Sequence, residues 1–433
     1  MKRALTWILI LIAAGAALAG LYAIGKRNRV AAPTQDPAEA ELFSSAPAGA
    51  GALLSLNTAT VQPMRSVRFL VAQEGGGILA QALTQTGDQM IGRFQDGRSM
   101  GSLRLPLPDG MPAAFFRFAK LADAADLKDG SLLLLFVDGT GGSAAPWLVD
   151  ADAATGEIRW TLKAAGSQLA MEPGGASCLV WSTSSLGRAS WNAEPAFKPL
   201  PMPDGVTVLD AVQAMPGGSL LAASPGGLAR FTNGGWTTTP LPDPGDLAFP
   251  GMPGALASLG KSSYWQPRPG QLARLGPDGA VTPVDLTKLA MPAGREKDAA
   301  LLRLAGADAG GHLWFALATP DLTVAPHSAA QPSAALQAMA AMSSSATPAP
   351  ASKPALDPAS WMDYLKNGLD RVYVWDPDGS APRLLDWKAR WTGLGAPSDF
   401  PLPLMRDLHP EDGTLLMNLD TRAWWVPMSR LPG

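Results

Sequence analysis

The feature that most constrains this chain is a unit that recurs along it. A turn ending in glycine is followed by a short, mostly apolar strand. The instances are Gly77-Ile78-Leu79-Ala80, Gly130-Ser131-Leu132-Leu133-Leu134, Gly175-Ala176-Ser177-Cys178-Leu179, Gly218-Ser219-Leu220-Leu221-Ala222, Gly254-Ala255-Leu256-Ala257, Gly311-His312-Leu313-Trp314-Phe315 and Gly413-Thr414-Leu415-Leu416-Met417. The glycine-to-glycine steps are 53, 45, 43, 36, 57 and 102 residues. The last step contains an Ala/Pro/Ser-rich stretch at about residues 320–369. Without it the mean step is ~48 residues. A second strand follows each first one at similar offsets, as in Leu228-Ala229-Arg230-Phe231 and Val372-Tyr373-Val374-Trp375. Asn233-Gly234, Asp278-Gly279 and Asp378-Gly379 close these strands, and such pairs reach the positive φ of tight hairpins.

One meander of this kind cannot cover both its faces, whereas a ring of them can. The pattern therefore predicts an all-β chain: a β-propeller of about seven four-stranded antiparallel blades over residues 51–433, with six and eight as the neighbouring counts. The chain ends at Trp424-Trp425-Val426-Pro427, which leaves the last blade one strand short. Leu53-Leu54-Ser55-Leu56 is placed to supply it and so tie the two ends together. Composition agrees. The 46 Gly and 40 Pro break helices, and 47% hydrophobic against 16% charged residues excludes an ordinary disordered chain.

The run from Leu148 to Trp160, with Asp152, Thr155, Gly156 and Trp160 in order, resembles the Asp, Thr-Gly, Trp repeat of quinoprotein-type and outer-membrane assembly propellers. In those families the Trp docks between blades. The resemblance spans one repeat and brings no cofactor with it. Quinone-cofactor dehydrogenases of this type often carry adjacent cysteines, whereas this chain has a single one, Cys178. Trp147, Trp160, Trp181, Trp191, Trp236, Trp265, Trp314 and Trp375 all fall within repeats, which reads as packing between blades. An aromatic carbohydrate platform is the other reading.

Lys2 and Arg3 precede an uncharged run from Ala4 to Gly25, and Lys26, Arg27 and Arg29 follow it. That length spans a ~30 Å hydrocarbon core as a helix. Residues 1–29 are read as a transmembrane signal anchor, with a cleaved signal peptide ending near Ala19 as the alternative. Residues 30–50 read as an Ala/Pro-rich stalk. The expected address is the inner membrane, single-pass, with the large domain in the periplasm; cleavage would release it there instead.

Within the insertion, Asp357-Pro358 opens a helical signal, and Trp361 and Leu365 share one face as a partner motif or a packing face. Channel candidates are Asp210, Arg303, Asp407 and His409. Asp210 and Arg303 each lie eight residues before their glycine and are expected at equivalent ring positions. His312, His327 and His409 show no metal-ligand spacing, so neither metal nor cofactor is expected. Net charge of −3 argues against a nucleic-acid partner. Ala255 to Ser262 formally fits a relaxed phosphate loop, but the residues after it read as strand and turn, so no nucleotide is expected. The leading expectation is a membrane-anchored module that binds an envelope protein or envelope component and the bilayer, without catalysis. The alternative is a periplasmic propeller enzyme, lactonase- or lyase-like, acting on a sugar or lactone.

Overall fold

Short apolar runs separated by tight turns have one cheap way to pair, each with the run before it, and six of the seven described sheets are built wholly so. The computed structural model describes residues 42–57, 67–71, 77–83, 89–127, 129–224, 227–240, 255–259, 262–267, 269–276, 280–308, 310–317, 371–379, 381–386, 395, 408–409, 414–419 and 421–427. Among these lie seven antiparallel sheets, six of four strands and one of five. Each sheet is a blade, numbered here along the chain.

The first strands of the blades are Phe69–Val71, Ala119–Asp126, Gln168–Met171, Ala211–Ala214, Ala255–Leu259, Leu302–Ala307 and Leu408–His409. Each neighbours the first strand of the next blade, and blade 7 returns to touch the first strand of blade 1. The chain is a closed seven-bladed β-propeller, with the first strands innermost. Its apolar core is divided into layers between adjacent blades. Leu79 and Ile91 of blade 1 pack with Leu121 and Leu134 of blade 2, for example, and Cys178 and Val180 of blade 3 with Leu133 and Leu148 of blade 2. Cys178 is fully buried, and burial pushes its thiol up, so it packs as a small hydrophobe.

Closure joins the two ends of the chain. Gly51–Leu56 pairs with Arg422–Pro427, so the segment Leu53–Leu56 fills the place left open in the last blade. The blade begins earlier than composition suggests. Residues Phe43–Ala48, read as stalk, form a further outer strand paired with Gly51–Leu56. The Phe43 ring meets Phe94 of blade 1 edge-on at 6.1 Å. It also lies where a Cβ on Gly92 would come within 2.5 Å. Trp425 likewise leaves no room for a Cβ on Gly97, whose φ of +72° completes the Asp96-Gly97 turn.

One repeat is out of phase with the sequence reading. Gly254 precedes the first strand of blade 5, and the second strand, Ser262–Gln266, stands behind Gly260. In the other six blades the repeat glycine precedes the second strand. With Gly260 in the series the steps of 36 and 57 become 42 and 51. The same two strands, Ala255–Leu259 and Ser262–Gln266, occupy the phosphate-loop-like stretch, so no helix follows it.

The aromatic residues pack. Trp147, Trp181, Trp265, Trp314 and Trp375 are buried. Trp160 of blade 2 stacks on Trp191 of blade 3 at 5.6 Å and 29°. Asp152 Oδ1 accepts the N–H groups of Ala154 and Thr155, which folds the turn that aims this Trp. No described helix is long and apolar enough to cross a membrane. The expected anchor at 1–29, the first part of the stalk and the insertion with Trp361 and Leu365 lie outside the described residues.

Candidate functional site

The innermost strand of each blade pairs with one neighbour only, so its other edge presents free backbone groups to the next seam. In a strand, the C=O of residue i and the N–H of residue i+2 point the same way. A side-chain amide spans that pair as a further strand would. Gln81, on the second strand of blade 1 (Ile78–Leu83), does this for blade 2. Its Nε2 donates to Ala119 O at 2.9 Å, and its Oε1 accepts the Leu121 N–H at 2.8 Å. Gln266 repeats the device for blade 6, with Leu302 O at 2.9 Å and the Leu304 N–H at 2.6 Å. Both clasps precede a β-bulge, at Ala122 and at Ala305. Gln89 joins the first one, accepting from Gln81 Nε2 at 2.9 Å and donating to Phe116 O of the short helix Ala113–Phe118 at 2.7 Å. These glutamines are 3%, 2% and 0% exposed, so their hydrogen bonds are made away from water.

Asp123, on the inner strand of blade 2, satisfies one backbone donor of blade 3 and one of its own strand. Its Oδ2 accepts the Leu169 N–H at 2.8 Å, and its Oδ1 that of Ala124. Burial pushes the Asp123 carboxyl above its ordinary range. The N–H groups of Leu169 and Ala124 and the charge of Arg68 pull it back only in part. Arg68, just before the inner strand of blade 1, still reaches solvent; burial lowers its pKa and Asp123 opposes that.

The channel candidates do not converge. Asp210 directly precedes the inner strand of blade 4, and its N–H donates to Ala223 O at 2.8 Å. Arg303 is the second residue of the inner strand of blade 6. Arg303 stands opposite Ala316 and Ala211 opposite Ala223, so the register equivalent of Arg303 is Ala211, one residue beyond Asp210. The expected equivalence fails because the bulge at Ala305 adds a residue to one strand. The inner strand of blade 5 also stands between these two blades. His409 ends the two-residue inner strand of blade 7, opposite Thr414; Asp407 lies outside the described residues. Among the described residues no three His, Cys, Asp or Glu side chains gather as metal ligands would. The sequence reading missed Gln81, Gln266 and Asp123. Their signal is a polar residue inside an otherwise apolar strand.

The two faces of the ring differ. Successive strands of a meander alternate in direction, so links after first and third strands lie on one face, and those after second and fourth strands on the other. The first face carries tight turns, such as Asp96-Gly97, 127–130, 172–176 and Asn233-Gly234. The second carries the described blade crossings 106–118, 200–210 and 286–301, together with short turns such as Thr183-Ser184. The link 318–370 leaves the second strand of blade 6, Leu313–Leu317, and returns at the third, Arg371–Trp375, so it departs from this crossing face as well. Leu107 and Phe118, both in the first crossing, are 48% and 51% exposed, and Arg117 lies over the Phe118 ring at 5.8 Å.

The architecture defines the class, a seven-bladed β-propeller. No protein-family model matches the chain, and no curated protein matches it. Solved structures similar to it include virginiamycin B lyase from Staphylococcus aureus, at 13% identity and TM-score 0.46, over 86% of this chain and 98% of that one. YCF48 bound to D1 peptide is similar at 8% identity and TM-score 0.45, over 90% and 99%. The Swd1 β-propeller domain of Myceliophteria thermophila is similar at 11% identity and TM-score 0.45, over 84% and 96%.

Proposed function

We propose that this propeller is a binding module that engages another envelope protein or envelope component through its crossing face. It has no chemistry of its own, and residues 1–29 anchor it with the ring in the periplasm. The observation that carries the reading is the segregation of the long links. The longest described crossings, 106–118, 200–210 and 286–301, all lie on one face, and the strand ends that bound the 318–370 link, Leu317 and Arg371, lie there too. A rigid ring that gathers its longest described links on one side is built to present them. Exposed Leu107 and Phe118 add an apolar element to that side. The Trp160–Trp191 stack supports the likeness to assembly-type propellers at one seam. The lactonase- or lyase-like alternative loses the pairing that motivated it, because Asp210 and Arg303 are neither in register nor on adjacent blades.

The test is capture from an envelope extract with three proteins: the full chain, the full chain with 318–370 replaced by a Gly-Ser turn, and the double variant Leu107→Ser/Phe118→Ser. We expect one envelope component retained by the first and lost from at least one variant, with melting temperature unchanged. Equal capture by all three overturns the crossing-face reading. A reporter active only in the periplasm, fused after Pro33, tests the address; a silent fusion refutes it.

A further inference from the structure

The third strands of four blades carry arginine at one register position. Arg93 stands between Leu79 and Gly101, Arg188 between Leu179 and Lys198, Arg230 between Leu221 and Thr237, and Arg274 between Tyr264 and Thr282. In each blade the residue before it is Gly or Ala. Three of these arginines are matched, each with a contact to the following blade. Arg93 donates to Ala153 O in a turn of blade 2. Arg188 pairs with Glu172 at 2.8 Å and donates to Gly218 O of blade 4 at 2.9 Å. Arg274 pairs with Asp378 of blade 6 at 3.3 Å. The repeated position therefore aims a guanidinium at the tight-turn face of the next blade, where it meets a carboxylate or a carbonyl.

Arg230 is the exception. It makes no ion pair among the described residues, and its Nε is buried without a hydrogen-bond partner there. In place of a partner there is a cavity of about 300 Å³ in the seam between blades 4 and 5. Arg230, Thr237 and Thr239 line it from blade 4, and Ser263 and Leu275 from blade 5. The Ser263 hydroxyl has only the Met215 sulfur within reach, at 3.7 Å, a weak acceptor. Trp265 is two residues along the same strand and so on the same face, packed against Leu221 and Leu275. Its indole N–H is buried and has no acceptor among the described residues. The described lining of the cavity thus offers the Arg230 guanidinium neither carboxylate nor carboxamide; Gln213 Oε1, also without a partner, belongs to the inner strand of blade 4 and is not part of that lining.

We infer that this seam is a binding pocket for a carboxylate side chain on a loop of a partner polypeptide, held by the Arg230 guanidinium and the neighbouring hydroxyls. The chemistry follows from the matched positions. The same register place takes Glu172 in blade 3 and Asp378 in the seam after blade 5, and a guanidinium fork fits a planar carboxylate with two parallel hydrogen bonds. Leu275 and the adjoining apolar layer strengthen such a pair by excluding water. The pocket opens beside the tight turns, so it is a second surface, independent of the crossing face.

The test uses the full chain in uncharged detergent and follows two resonances, the Arg230 side-chain Nε–H and the Trp265 indole N–H. The probes are the peptide acetyl-Gly-Glu-Gly-amide, its Gln counterpart and inorganic phosphate. We expect the Glu peptide to move both resonances saturably and the other two probes to do so at least tenfold more weakly. In Arg230→Gln the indole shift should vanish while the melting temperature holds. Overturning results are no shift with the Glu peptide, an equal shift with the Gln peptide or phosphate, or an indole shift that survives in Arg230→Gln. Binding that appears only in Asp278→Ala would also overturn the proposal, since it would show the pocket to be filled from within the chain.

Discussion

The seam between blades 1 and 2 and the seam between blades 4 and 5 answer the same problem in opposite ways. Both bring an edge strand with free backbone groups against the next blade. At the first seam Gln81 and Gln89 close every contact with amide hydrogen bonds, and the short helix Ala113–Phe118 covers them. At the other, the Arg230 guanidinium lines a cavity and the Trp265 indole N–H is buried without an acceptor among the described residues. Both seams join antiparallel meanders, and they differ in side chains and in the bulge at Ala122 of the blade 2 inner strand, which the blade 5 inner strand lacks. A propeller holds its ring through repeated backbone geometry and is free to vary what fills each seam. That freedom is what lets one seam become a pocket without loss of the fold.

The sharpest way to break the comparison is to open the closed seams. Gln81→Leu leaves the Leu121 N–H and Gln89 Oε1 without partners and Ala119 O with only the long 3.4 Å bond from Gln89 Nε2. Unsatisfied buried groups cost ~1–3 kcal/mol each, so a loss of about 3 kcal/mol is expected in urea unfolding. Gln266→Leu strands two groups and should cost slightly less. A loss below ~0.5 kcal/mol in both would show that the clasps contribute little. Next in size is Arg188→Gln, which leaves Glu172 unpaired with its side chain only 10% exposed; about 1 kcal/mol is expected by the same measurement.

A smaller effect depends on pH. Asp123 has a raised carboxyl pKa, so the folded chain binds its proton before the unfolded chain does. Wild type should therefore gain stability relative to Asp123→Asn as pH falls from neutral toward the ordinary carboxylate range. Asp308 behaves in the opposite sense. Burial pushes it up, but hydrogen bonds from the Trp314 indole and the His312 backbone, with the His312 charge, outweigh burial and hold it low. Wild type should lose stability relative to Asp308→Asn as pH falls below the ordinary carboxylate range. Parallel unfolding curves at several pH values read both signs, and matching signs would overturn the assignment. The smallest effects belong to Arg274 and Arg230. Arg274→Gln should cost a few tenths of a kcal/mol, as surface pairs do. Arg230→Met should cost nothing or stabilise by a few tenths, because it removes an unmatched cation. A loss above ~1 kcal/mol at Arg230 would mean that the chain itself supplies its partner.

Much of the architecture is legible in the chain. The repeat glycines before Ile78, Ser131 and Leu313 predict second strands, and Leu53–Leu56 predicts the closure, because both rest on local turn geometry and apolar alternation. Gly254 misleads because a glycine-led apolar run also occurs at an inner strand. Asp210 and Arg303 mislead because residue counting passes through the bulge at Ala305, which periodicity does not register. Phe43–Ala48 escapes notice because Ala, Pro and Ser read as linker, although it pairs with Gly51–Leu56, the next strand in the chain.

The sequence by itself determined the meander and a ring of about seven blades. These follow from nearest-neighbour pairing and the two-residue period of a strand. Only the tertiary structure decided which polar groups are satisfied. Gln81 finds Ala119 across a seam, while Arg230 finds a cavity, and nothing within either strand distinguishes them. Satisfaction of a buried group is a property of the blade that comes to lie beside it.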